Sequence, residues 1–237
     1  METTRAPRVA QPVMYQTWAD MTFLHWRYPA ALIQELLPPG LTAEEFDGSA
    51  WVGLTPFLMK DVRPRALPPL PGMSRFPETN VRTYVRDGRG RDGLWFLSLD
   101  AGLLPAVLAA RAVYALPYYW AGMSVRVAGE RAVYRSRRRW PGREGARCHA
   151  EVELGPSMDE ADGLARFLTE RYRLFTVVAG RLATAEVDHR PWPLRHARPV
   201  RLDQDLLQAG GLPAPGGEPV AHASPGVRAR IGMWSLV

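Results

Sequence analysis

Between Phe76 and Val85 the chain reads Phe-Pro-Glu-Thr-Asn-Val-Arg-Thr-Tyr-Val, placing a carboxylate, an amide and a guanidinium at alternate positions of a strand-like segment. In period-2 geometry Glu78, Asn80 and Arg82 share one face, while Val81, Thr83 and Val85 share the other. A fold that contains this strand can satisfy its polar face in two ways. The face looks into water along an edge strand, or it closes over a polar cluster in an apolar pocket with Trp51–Met59 as the neighbouring strand. The pattern leaves both open.

The rest of the chain reads as short elements punctuated by proline and glycine. Met14–Tyr28, rich in Trp, Phe and Thr, is expected to be a largely buried strand. Pro29 sits at a first-turn position and opens a helix with Leu32, Ile33, Leu36 and Leu37 on its apolar face, ended by Pro38-Pro39-Gly40. Ala50–Met59 is the next strand, and Arg63–Pro77 is a proline-rich loop. Strands follow at Val81–Arg86 and Leu94–Asp100, and Leu103–Tyr114 reads as a buried helix. Tyr119–Val127, Arg131–Arg138 and Arg147–Leu154 form an antiparallel meander, its basic run presenting Arg135, Arg137 and Arg139 outward. Ser157 and Glu160 suggest a capping box for a helix to about Glu170. Tyr172–Val178 and Arg181–Val187 form a hairpin around Ala179-Gly180. Asp203–Ala209 is a short helix, and two closing strands bracket Ser224-Pro225-Gly226. With no βαβ rhythm, the expected class is α+β with a mixed or mostly antiparallel barrel.

Composition narrows the function. The chain has 237 residues, 46% hydrophobic, including eight Trp, which suffices for one large packed core. The expected organisation is a polar tail over residues 1–12 and a single domain over 13–237. Met1–Pro12 lacks the apolar region of a signal peptide, no run reaches the ~18 apolar residues of a membrane span, and Cys148 is the single cysteine. The reading is a cytoplasmic protein with no intramolecular disulfide. The net charge is +6, yet Lys60 is the only lysine, and the basic run carries no zinc spacing, helix-turn-helix or RNA-binding signature. No nucleic-acid or membrane partner is expected, and oligomeric state is left open. The histidines show no HxH, HxxxH or HExxH spacing, so neither a metal nor a cofactor is expected.

A set of motifs spread over nearly the whole chain resembles one family. Thr22-Phe23-Leu24-His25-Trp26-Arg27-Tyr28, Leu36-Leu37-Pro38-Pro39-Gly40-Leu41, Trp51-Val52-Gly53-Leu54, Phe76–Tyr84 and His189-Arg190-Pro191-Trp192-Pro193-Leu194 are similar to the DUF2071, or YqjF-like, family. That family is grouped with the acetoacetate decarboxylase-like superfamily. The resemblance implies a cone-shaped, mostly antiparallel β-barrel with a few flanking helices, enclosing a small-molecule cavity.

The same resemblance tests the chemistry position by position. Acetoacetate decarboxylases carry a lysine pair after a Tyr/Phe-Pro dipeptide, which follows a helix and a strand ending in Leu-Asp. Here Leu99-Asp100, Leu103–Tyr114 and Leu116-Pro117 match that frame, and the two positions that follow are Tyr118 and Tyr119. Without an amine there is no imine electron sink, so Schiff-base decarboxylation is excluded at this position. The resemblance also sets Glu78 as a cavity glutamate, through Phe76-Pro77-Glu78, and puts Thr55 where a second cavity glutamate would stand.

The candidate catalytic residues are Glu78 for proton transfer, Arg82 as a carboxylate-binding guanidinium, and Tyr119 as an oxyanion donor. Tyr118, Asn80, Thr55 and His25 are candidate ligand-binding residues, His25 being either a cavity base or a satisfied structural histidine. His189 either gates a cavity mouth or caps a turn, with the turn favoured. Cys148 reads as core. Two functions fit: an enzyme acting on a small carbonyl or carboxylic compound by acid–base chemistry, such as a lyase or isomerase, or a non-catalytic module that sequesters a hydrophobic metabolite. The ionisation of Glu78 separates them. A catalytic group in an apolar site titrates near neutrality, whereas a glutamate locked to Arg82 is depressed.

Overall fold

The computed structural model describes residues 9–142 and 145–237, so residues 1–8 of the expected polar tail lie outside the described residues. The N-terminal half contains β1 (Met14–Tyr28), α1 (Ala30–Gln34), β2 (Leu41–Ala43), β3 (Glu45–Phe46), β4 (Ser49–Pro64), β5 (Phe76–Asp87) and β6 (Asp92–Ala101). Then come α2 (Leu104–Tyr114), β7 (Tyr118–Ala128), β8 (Arg131–Trp140), β9 (Arg147–Ser157) and α3 (Gly163–Thr169). The chain ends with β10 (Arg173–Val178), β11 (Arg181–His189), β12 (Arg195–Gln204), α4 (Leu206–Ala209), β13 (Val220–Ile231) and β14 (Ser235–Leu236). Among the described residues the fold is mostly sheet with four short helices, and no helix is long and apolar enough to cross a membrane.

The fourteen strands of the described residues join one sheet whose pairings close on themselves. One ring runs β6-β7-β8-β9-β12-β13-β1-β4-β5 and returns to β6 through the β5–β6 pairing. A second ring shares β13, β1, β4, β5 and β6 and closes through β10 and β11. Because successive side chains of a shared strand point to opposite faces, each shared strand feeds two cores. On β1, β4 and β5, Leu24, Leu54 and Val81 join one core with Tyr134, Cys148 and Ala150. Phe23, Phe57 and Phe76 join the other with Leu99, Leu174, Val187 and Ile231.

That arrangement decides the question left open at Phe76–Val85. β5 is flanked by β4 and β6, and from Glu78 to Val85 both faces are buried, so it is no edge strand. The triad Glu78, Asn80 and Arg82 therefore faces the protein interior.

Several expected elements take different bounds. The first helix stops at Gln34, and of its expected apolar face only Ile33 is buried. The prolines that follow Leu37 force extended backbone before them, and Gln34 is pinned by side-chain bonds to the Leu41 carbonyl and Ala43 amide. α2 is only partly buried: Val107 and Tyr114 pack inward, while Leu108 and Val113 are exposed. It links β6 to β7, which pair in parallel, so the chain does contain one βαβ crossover. Ser157 remains in β9, paired with Arg195; the helix cap is Asp162, whose carboxylate accepts from the Ala165 amide at 2.7 Å.

The expected helix over Asp203–Ala209 begins only at Leu206, because Asp203 and Gln204 still pair with β9. Their strand, β12, lacks apolar alternation and contains Pro199, so its pattern gave no strand signal. The two closing strands are one continuous strand, β13. Ser224-Pro225-Gly226 runs through as an irregularity opposite Asp20, with Gly226 at φ +122° and so placed that a Cβ would collide with the Trp18 carbonyl. By contrast, β1, the β7–β8–β9 meander and the β10–β11 hairpin form as expected. In that hairpin, Ala179 (φ 49°) and Gly180 (φ 77°) supply the left-handed turn.

Candidate functional site

The second ring encloses a cavity of about 240 Å³. Its wall is apolar, with Met21, Phe57, Met59, Phe96 and Leu99 among the lining residues, and Ala106, Ala110 and Val113 of α2 lie along one side. Into this wall β5 projects Glu78, Asn80 and Arg82, two residues apart along one face. Glu78 is the one Asp or Glu among the described lining residues.

Glu78 is 2% exposed, and burial pushes its carboxyl up to about 8. Hydrogen bonds from Tyr118 and Asn80 pull against that push, and the charge of Asp100 adds to it. The Tyr118 hydroxyl lies 3.2 and 3.1 Å from the two carboxylate oxygens. Glu78 is thus mostly protonated at neutral pH and able to donate a proton or a hydrogen bond.

Arg82, two positions beyond Asn80, is 7% exposed. Its Nη2 donates to the Leu168 carbonyl at 3.3 Å, and its guanidinium lies 5.4 Å from the Phe23 ring centre. It makes no ion pair with Glu78 or with any other described carboxylate. Arg171, a second buried arginine on the wall, is neutralised: its Nη1 reaches Glu44 at 2.6 Å and Asp92 at 2.9 Å. With Glu78 protonated, Arg82 is the unbalanced charge, and the cavity favours an anion.

The two tyrosines after Pro117 part company. Tyr118 faces the cavity, and Tyr119, next along the strand, faces away from it. The Tyr119 ring lies 3.6 Å beneath the Arg138 guanidinium, and Arg138 in turn binds Asp100 at 2.6 Å. The phenol at the cavity is therefore Tyr118. Arg138 is 2% exposed, so the basic run on β8 is divided: Arg135, Arg137 and Arg139 are outward and Arg138 is inward.

Thr55 and His25 are fully buried just behind the lining. His25 Nε2 lies 2.7 Å from the Tyr84 hydroxyl, which itself reaches the Leu168 carbonyl at 2.7 Å, and burial pushes the imidazole pKa well down. His189 is buried on the cavity wall, its Nδ1 donating to the Arg190 carbonyl at 2.7 Å. It packs against Trp18, Tyr172 and Trp192, and Trp18 stacks on Trp192 with ring centres 5.9 Å apart. Sequence reasoning missed Trp18 and Arg171 as wall residues; neither sits at a spacing that points to a cavity. Lys60, the only lysine of the chain, lies outside the cavity beside Asp20 at 3.4 Å. Cys148 is buried in the other core, its thiol pushed up to about 12 by burial.

A family model described as an uncharacterized conserved protein, DUF2071, matches residues 15–228. The chain belongs to the DUF2071 family. It is 36% identical over 212 residues to YqjF of Bacillus subtilis (strain 168), covering 89% of this chain and 86% of that one. Among solved structures, the acetoacetate decarboxylase of Legionella pneumophila superposes with a TM-score of 0.69 at 14% identity, covering 100% of this chain and 90% of the other. An acetoacetate decarboxylase-like enzyme from Sphingomonas wittichii RW1 gives 0.68 at 16% identity, covering 96% and 94%. The enduracididine biosynthesis enzyme MppR, complexed with pyruvate, gives 0.65 at 15% identity, covering 96% and 91%. At these identities the likeness is one of fold, and this DUF2071 chain is acetoacetate decarboxylase-like in architecture.

Proposed function

We propose that the two sheet rings act as the wall of a cone-shaped barrel in one domain over residues 13–237, which binds a small carboxylic or carbonyl compound. It would act on that compound by acid–base chemistry without a Schiff base. The observation that carries this reading is the setting of Glu78: buried in the apolar wall and unpaired with Arg82, so that burial pushes its carboxyl up to about 8. A structural ion pair with Arg82 would depress that carboxyl, whereas desolvation in an apolar cavity raises it into the working range of a proton donor. The pyruvate of the MppR complex supports a small oxo acid as the class of ligand.

In this reading Arg82 holds the ligand carboxylate, and the apolar wall takes its aliphatic part. Protonated Glu78, aligned by Tyr118, donates to the carbonyl oxygen as negative charge develops there. Tyr118 thereby takes the phenol role first expected of Tyr119. Enolisation is the simplest reaction that this set supports: the carbonyl oxygen takes the Glu78 proton, a solvent water takes the C3 proton, and the electron pair of that C–H bond closes the enol double bond with no covalent amine.

The test is exchange of the C3 protons of 2-oxooctanoate in D2O, followed by proton NMR. Exchange accelerated by the wild type and lost in Glu78→Gln supports an enzyme. Binding without exchange supports the sequestering module instead, and neither binding nor exchange rejects the carboxylate reading.

A further inference from the structure

Behind the carboxylate position, four buried polar atoms have no protein partner: His25 Nδ1, Thr55 Oγ1, Asn80 Oδ1 and Arg82 Nε. Most buried polar groups in folded proteins are hydrogen-bonded, so four together mark a place suited to a polar partner. Strand register brings them together. His25 of β1 pairs with Gly53 of β4, which pairs with Arg82 of β5, and one step along Thr55 pairs with Asn80. Directly paired residues of neighbouring strands keep their side chains on one face about 5 Å apart. Gly53, having no Cβ, makes room for the His25 ring beside the Arg82 stem: a Cβ there would sit 2.8 Å from His25 Nε2 and 3.6 Å from Arg82 Cγ.

The donor pattern says what fits. The Tyr84 hydroxyl donates to the Leu168 carbonyl, so its oxygen accepts from His25 Nε2–H, leaving Nδ1 as a bare lone pair. The cluster then presents two acceptors, His25 Nδ1 and Asn80 Oδ1, one donor, Arg82 Nε–H, and the Thr55 hydroxyl, which does either. Two acceptors repel a carboxylate oxygen, and an ether oxygen, which only accepts, or an alkyl group would leave both acceptors unpartnered. An O–H group satisfies the set by accepting from Arg82 and donating to His25 or Asn80.

We propose that His25, Thr55, Asn80 and Arg82 form a polar subsite on the floor of the cavity that takes a hydroxyl oxygen, either of a bound water or of the ligand. Its placement beside Arg82 makes a 2-hydroxy acid the fitting ligand where the hydroxyl is the ligand's own. That part rests on the reading of Arg82 as the carboxylate site. His25, its pKa pushed well down by burial, is neutral and so keeps the acceptor free.

The test compares octanoate with 2-hydroxyoctanoate by isothermal titration of the full chain, beside a high-resolution crystal structure of the ligand-free protein. A ligand hydroxyl in the subsite gives about tenfold tighter binding of the hydroxy acid. That preference disappears in Thr55→Val and is kept in Thr55→Ser. A bound water instead gives equal affinities and an ordered oxygen within about 3.2 Å of at least two of the four atoms. No ordered oxygen and no preference overturns the subsite. Failure of both acids to bind, with the ordered oxygen present, rejects the carboxylate reading and leaves the subsite standing.

Discussion

The Tyr118 hydroxyl sits 3.2 and 3.1 Å from the two carboxylate oxygens of Glu78, joining a phenol and the cavity's carboxyl in one buried pair. Tyr118 occupies the first of the two positions where the resemblance to the decarboxylases implies lysines. A cation there would stabilise an ionised Glu78; a neutral phenol leaves burial in control, and the carboxyl rises to about 8.

Replacing Glu78 with Gln should change the pH dependence of stability. A carboxyl at about 8 in the folded chain and near 4.5 when unfolded contributes fully below about 4.5 and loses its contribution as pH climbs toward 8. Glu78→Gln removes that loss. At pH 9 the variant should melt about 5 °C or more above the wild type, and at pH 4 the gap should close. Thermal melts across that range check it; parallel curves would show that Glu78 ionises freely.

The two tyrosines should behave differently. Tyr118→Phe removes a hydrogen bond that holds the Glu78 carboxyl down, so the pH at which stability is lost moves upward, at a cost of about 1–2 kcal/mol. Tyr119→Phe, on the other face of β7, should leave that midpoint in place. An equal shift in both would contradict the alternation of their side chains.

Within the basic run on β8, the arginines should separate by burial. Arg138→Ala leaves Asp100 charged in the core and should cost about 3–5 kcal/mol in denaturant unfolding. Arg137→Ala, at an exposed site, should stay within about 0.5 kcal/mol.

The cavity side formed by α2 can be filled. Ala110→Trp places a large ring among the lining residues and should weaken octanoate binding at least about tenfold, with the melting temperature little changed. Unchanged affinity would move the ligand away from α2.

Local chemistry alone determined much of this protein. Residue content (Trp, Phe and Thr) specifies β1, and alternation and turn residues specify the β7–β8–β9 meander and the Ala179-Gly180 hairpin, because those signals act between residues near in sequence. The polar triad of β5 and the two tyrosines after Pro117 are likewise written in the chain. Tertiary structure decided the rest. Whether Glu78 met water or a cavity depended on β4 and β6 lying on either side of β5, and its high pKa exists only because that enclosure strips water away. Which of Tyr118 and Tyr119 reached the cavity depended on a parallel pairing of β7 with β6 made across a helix. β12 stayed hidden because its charged, proline-containing sequence is a strand only where β9 supplies the hydrogen bonds. The meeting of His25, Thr55, Asn80 and Arg82, drawn from three strands, depended on cross-strand register, which a single strand's sequence does not carry.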